Sequence, residues 1–321
     1  MNSNLVGLDV TCSGAQILGG LIKDEKMLLD TNLFVKKNLE QKNKRSIYTV
    51  VLELLLEKLE KKDFFYNDEI KFLILKKITR NFVKGWTMRF LYSESNYSRT
   101  QFLFNQLNTG PLNSFSILEK SEQYTMVYKI SLTFVETFQE AYNEAYLFLE
   151  KLKTSFRNAK KVDRAPMYVI GNSTSEGEFK SIIDASKKIT KQYRMYSFKE
   201  KEMIRSTYKY NSQYGKLDIS SLTREVVPNF IHHLDSVVLY ASILKLKKRN
   251  INVFVVHDCF YIDRQHVDLI QTIYYESFLE KILLKDCCKE FLKLNNIDDV
   301  DSAQKKINIA EYERSYFILT E

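Results

Sequence analysis

The stretch INVFVVHDCFYID, residues 251–263, runs from an apolar segment into His257 and Asp258 and out again through Cys259, Phe260 and Tyr261. It reads as a hairpin with a carboxylate at its tip. An ionised carboxylate withdrawn from water is costly unless a cation neutralises it. A second short apolar segment, residues 4–10, holds Asp9 in a like setting near the start of the chain. Two-metal phosphoryl transfer needs carboxylates from separate strands converging on ions roughly 4 Å apart. Mg²⁺ accepts one or two carboxylates and completes its shell with phosphates and waters. Asp9 and Asp258 meet that requirement if their strands pair; otherwise each simply caps a local turn.

A different chemistry is spaced along RNFVKGWTMRFLY, residues 80–92. Arg80 and Lys84 stand four apart, so both leave one face of a helix. Met88 and Tyr92 continue the step, each turned about 40° further around the axis. Such a stripe suits the triphosphate of a nucleotide, with the tyrosine ring beside its base or sugar. The plainer reading is a wetted basic face with Phe82, Trp86 and Phe90 buried behind it. In PNFIHHLDS, residues 228–236, His232 and His233 are adjacent and diverge by about 100°, so one of them faces inward. No second His or Cys lies at a metal-ligand spacing from either.

These residues need elements to hold them. Alternation and helical periodicity predict a strand at 4–10, then a turn into a helix, and further helices over 46–62, 68–92 and 135–160. Residues 160–222 are polar and turn-rich, as in GNSTSEGEFK and YKYNSQYGK. Pro228 is expected to open a helix, because proline is best tolerated at the first helical position. The hairpin follows, then helices to the end. A strand near each end of the chain with a helical block between them would let Asp9 and Asp258 meet in one sheet.

The 321 residues allow two domains or one domain with a large insertion. The net charge of +8 favours a polyanionic partner. The basic runs at 36–45, 157–164, 187–194 and 245–249 would track a phosphate backbone, with Tyr193, Tyr196 and Tyr208 to stack on bases, or else are ordinary wetted surface. Cys12, Cys259, Cys287 and Cys288 form no zinc-type pair of pairs and read as reduced thiols. No apolar run reaches the roughly 20 residues that span a bilayer, and no signal peptide opens the chain. Abundant Lys, Ile, Asn, Tyr and Phe suit an AT-rich genome such as that of an organelle or a parasitic element.

Taken in order, the motifs resemble the C-terminal catalytic part of the single-subunit, phage and mitochondrial type of DNA-directed RNA polymerase, above all the forms on mitochondrial linear plasmids. LDVTCSGAQILGGLIKD is similar to the first palm motif through Asp9, Cys12, Ser13, Gly14 and Gln16. RNFVKGWTMRFLY is similar to the fingers helix, PNFIHHLDS to the PNFIHSLD segment, VHDCFY to the last palm motif, and ERSYFILTE to the C-terminal segment. Ser93 stands where the family has Gly, and His233 where it has Ser. SSLTREVV lacks the expected Lys-Gln and Gly-containing run, and the interval from Asp9 to Arg80 is compressed.

The resemblance implies a helix-rich α+β fold of the right-hand polymerase type, with a small antiparallel palm sheet and inserted helical fingers. Residues 1–37 would begin the palm, 38–231 form the fingers, and 232–321 complete the palm and C-terminal segment. Asp9 and Asp258, helped by the Val10 carbonyl, would hold two Mg²⁺ ions. Lys84 would neutralise the triphosphate and protonate pyrophosphate, and Arg80 would bind outer phosphate oxygens. Tyr92 would lie beneath the incoming base, and His232 would bond the 2′-hydroxyl. The implied partners are DNA template, nascent RNA and ribonucleoside triphosphates, with no membrane. Only eight residues precede Asp9, so a fragment or a split enzyme with a separate N-terminal piece is expected. A mitochondrial site, organelle- or plasmid-encoded, is expected, with a cytoplasmic one the alternative. The competing functions are a family A-like DNA polymerase, whose last motif reads His-Asp-Glu, and an inactive nucleic-acid-binding remnant.

Overall fold

The computed structural model describes residues 5–37, 43–108, 118–158, 167–174, 177–184, 188–197, 202–211, 219–295, 297 and 307–320, with the backbone alone between 167 and 211. Strand β1 (Leu5–Val10) leads into helices α1 (Ser13–Ile22) and α2 (Glu25–Asp30), then β2 (Phe34–Lys36). A helical run follows: α3 (Ile47–Glu60), α4 (Asp68–Lys77), α5 (Arg80–Leu91), α6 (Asn96–Leu107), α7 (Lys120–Ala141) and α8 (Asn143–Asn158). Two hairpins come next, β3 (Met167–Thr174) with β4 (Gly177–Asp184) and β5 (Lys188–Ser197) with β6 (Glu202–Asn211). The chain closes with α9 (Ile219–Lys248), β7 (Phe254–Val256), β8 (Cys259–Asp263), α10 (Val267–Phe278), α11 (Cys287–Leu294), β9 (Tyr312–Arg314) and β10 (Leu319–Thr320).

The decisive feature is one antiparallel sheet in the order β10-β1-β8-β7, which joins both ends of the chain. Its strands alternate, as a two-residue period requires. Val6, Leu8 and Val10 of β1 and Phe260 and Ile262 of β8 enter the core, where Phe260 meets the edge of Tyr274 from α10. That parity puts Leu5, Gly7 and Asp9 on the opposite, open face, and a one-residue slip would bury the carboxylate. Helix α5 is amphipathic in the same functional sense. Phe82, Val83, Trp86 and Phe90 are buried, with Trp86 stacked on Phe134 at 4.5 Å and Phe90 tilted against Phe138 at 4.6 Å. Arg80 and Lys84 point outward.

Five local expectations need correcting. The segment 68–92 is two helices, because Ile78 leaves the helical region and Thr79 starts α5, its hydroxyl accepting from the Phe82 amide at 3.4 Å. The helical segment from 135 is divided between α7 and α8 at Tyr142. Pro228 lies inside α9 rather than at its start. Proline there removes one backbone donor and crowds the preceding turn. Buried Val226, Val227, Phe230 and Ile231 on either side hold the helix together, and Asn229 Nδ2 donates to the Glu225 carbonyl at 2.7 Å. The stretch 160–222, read as turn-rich, contains the β3–β4 and β5–β6 hairpins, and the C-terminus ends in β9 and β10 rather than helix. Most of the basic run at 157–164, from residue 159 on, and the side chains of Tyr193, Tyr196 and Tyr208 lie outside the described residues. Among those residues no helix is long and apolar enough to cross a membrane, and all four cysteines are free thiols.

Candidate active site

Asp9 pairs in register with Cys259, so Asp258, one residue earlier at the β7–β8 turn, is its neighbour across the strands. The turn is tight enough to place His257 in the left-handed region, at φ 56°. Partial burial and then the charge of Asp258 raise the Asp9 carboxyl above the ordinary range, against Lys84, the Val10 amide and Lys44. Two carboxylates held together in this way favour a shared cation. Among the described residues no group of three His, Cys, Asp or Glu side chains is arranged to hold a metal. A pair of hard oxygen donors open to solvent fits Mg²⁺, which takes its other ligands from phosphates and water. Val10 itself is buried and pairs with Leu319 on β10.

The α5 side of the site is held by contacts from α1 and α3. Cys12, at φ 57°, turns β1 into α1 and its thiol meets the Tyr48 hydroxyl, which also reaches Met88 Sδ at 3.2 Å. Arg80 donates through Nη2 to Ser46 Oγ at 3.0 Å and lies over the Tyr48 ring at 5.4 Å. Lys84 makes no ion pair among the described residues and acts on Asp9 across the cleft. Tyr92 ends α5 and stacks on His232 from α9, with centroids 4.6 Å apart and planes 24° from parallel. Its hydroxyl rests against Gly14. Burial, and after it Asp235 and Asp258, pushes the Tyr92 phenol up to about 12. Burial pushes His232 down despite Asp258, which leaves a neutral imidazole at pH 7 that both donates and accepts.

The structure therefore brings Asp9, Asp258, Lys84, Arg80, Tyr92 and His232 to one cleft, and it resolves the adjacent histidines. His232 faces the cleft, whereas His233 is buried, with burial pushing it down to about 4. Sequence reasoning missed Asp235 and singled out Lys44 only as part of a basic run. Burial, then Asp258, pushes Asp235 up to about 6, although the Ser13 hydroxyl donates to it. Its signal was available: three positions after His232, it shares that residue's helical face.

The DNA-dependent RNA polymerase family matches residues 2–314, nearly the whole chain. The chain belongs to that family, in its single-subunit type. A protein of Agaricus bitorquis described as a probable DNA-directed RNA polymerase is 22% identical over 277 residues, covering 80% of this chain and 23% of that protein. The polymerase-family chain thus spans about a quarter of the length of the curated relative it matches.

Proposed function

We propose that this chain carries the nucleotidyl-transfer centre of DNA-templated RNA synthesis. One observation carries the reading: Asp9 on β1 and Asp258 at the β7–β8 turn stand together, Lys84 acts on Asp9, and the Tyr92–His232 stack lies beside them. In this reading residues 1–37 and 232–321 form the palm, and 38–231 form the fingers. The RNA 3′ hydroxyl gives its proton to solvent as its oxygen bonds to the α-phosphorus of a ribonucleoside triphosphate, and the bond to the bridging oxygen breaks to release pyrophosphate. Asp9, Asp258 and the Val10 carbonyl would hold two Mg²⁺ ions, which when bound would supply Lewis-acid stabilisation of the charge on the attacking and leaving oxygens. Lys84 and Arg80 supply fixed positive charge to the outer phosphates, and Lys84 gives a proton to pyrophosphate. Tyr92 supports the base. Neutral His232 bonds the 2′-hydroxyl, and a site built for that group rejects its absence because its own polar atom is left unpaired. DNA template and nascent RNA are the macromolecular partners. An organelle or plasmid origin in mitochondria accords with the Lys-, Ile- and Asn-rich composition.

The test is primer extension on an RNA–DNA hybrid with Mg²⁺, comparing ribonucleotides with deoxyribonucleotides. Ribonucleotide-selective extension that Asp258→Asn abolishes, with template affinity retained, is expected. Equal extension by the variant removes Asp258 from catalysis, and tight salt-dependent binding without any extension establishes a non-catalytic binding module.

A further inference from the structure

The basic run at 36–45 includes one lysine that the motifs do not assign. Lys44 precedes α3 in a turn that the buried Asn32 grips from both sides: Asn32 Nδ2 donates to the Arg45 carbonyl at 2.8 Å, and the Arg45 amide donates to Asn32 Oδ1 at 2.9 Å. The same turn carries Ser46, which receives Arg80. From it Lys44 Nζ donates to Thr320 Oγ1 at 2.7 Å, and Thr320 is the register partner of Asp9. The ammonium is thereby fixed at the edge of the carboxylate pair. Withdrawal from water, along with Arg80 and Lys84, pushes Lys44 below the ordinary lysine range, against Cys12 and Asp9.

Three cations thus converge on one opening, Arg80 and Lys84 both opposing the charge on Lys44. Among the described residues none of the three has an ion pair within 4 Å: Arg80 and Lys44 bond neutral hydroxyls, and Asp9 is the carboxylate that Lys44 and Lys84 share. A surface that collects like charges without neutralising them is built for a polyanion. We propose that Lys44 is a third phosphate-binding cation of the site, reaching the outer phosphates of the incoming nucleotide and the departing pyrophosphate from the β10 edge of the sheet. Its hydrogen bond to Thr320 holds it in reach and leaves two N–H donors for phosphate oxygens. This rests on the nucleotidyl-transfer reading and adds a residue to it.

Titration calorimetry of the full 321-residue chain with inorganic tripolyphosphate and Mg²⁺ tests the assignment. Lys44→Met should weaken binding about fivefold, the upper range for an exposed charge pair. Lys44→Arg should stay within about twofold of the parent, since it keeps the charge. Affinity for an RNA–DNA hybrid without nucleotide should not change in either variant. Lys84→Met serves as the reference. If the parent chain binds no tripolyphosphate, the nucleotidyl-transfer reading fails and this assignment with it. If Lys84→Met weakens binding while Lys44→Met leaves it unchanged, or lowers only the melting temperature, Lys44 is a structural tether to β10 and the assignment alone is overturned.

Discussion

Replacing Gly14 with alanine separates the proposed nucleotide pocket from the stability of the fold. A Cβ built on Gly14 would lie 3.0 Å from Tyr92 Oη, 3.5 Å from Cζ and 3.6 Å from Cε1. Ordinary contact begins at 3.4 Å, so the hydroxyl must retreat by about 0.4 Å. The ring has little room, because its face is stacked on His232 and its backbone closes α5. The helix gains up to about 1 kcal/mol from replacing glycine, while a crowded buried contact costs about 1–3 kcal/mol. These nearly offset, and the melting temperature should move little. Displacement by about 0.4 Å is comparable with the roughly 0.5 Å tolerance of a productive site. We expect discrimination between ribonucleotide and deoxyribonucleotide, measured as the ratio of kcat/KM in primer extension, to fall about fivefold, corresponding to roughly 1 kcal/mol. Tyr92→Phe removes the crowded oxygen, so Gly14→Ala in that background should cost much less, and the coupling is read from the double-mutant cycle. Wild-type discrimination in Gly14→Ala, or an equal loss in both backgrounds, refutes the account.

Two further predictions concern stability. His233 is held neutral, its pKa lowered to about 4 by burial, so its contribution is complete above its unfolded value near 6.5 and is lost as pH falls towards 4. The amount is on the order of 3 kcal/mol. Asp235, raised to about 6 chiefly by burial, acts with the opposite sign, its stabilisation present below about 3.8 and lost as pH rises through 6. Between pH 7 and 4 the two effects nearly offset, so urea titrations should show a nearly flat parent and His233→Gln gaining stability as pH falls; an unaltered slope would mean His233 is not the titrating group. Gly85→Ala would put its Cβ 2.6 Å from Phe102 Cζ, under a ring that also carries Arg89 at 4.4 Å. A net loss of about 1 kcal/mol is expected after the helix gain, with Phe102→Leu restoring it; a raised urea midpoint in the single variant contradicts the packing described.

Much of the site was legible from local pattern. The two-residue alternation of β1 fixes Asp9 on the face away from Val6, Leu8 and Val10. The four-residue step of α5 commits Arg80 and Lys84 to the side opposite Trp86 and Phe90. Those periodicities are properties of a few consecutive residues, so the amino-acid order is sufficient to specify them. Pro228 shows the limit, since its own preference for a helix start yields to the packing of Val226, Val227, Phe230 and Ile231 around it.

The sequence by itself determined which side chains share a face within each strand or helix, and through its ordered motifs it determined the family. Only the tertiary structure decided that β1 lies between β8 and β10, that His232 and not His233 faces the cleft, and that Lys44 and Asp235 join the carboxylates. Strand pairing across nearly the whole chain and the burial of one histidine depend on hydrogen bonds and packing between distant segments. Their free energy exists only once those segments have met, so no window of neighbouring residues encodes it.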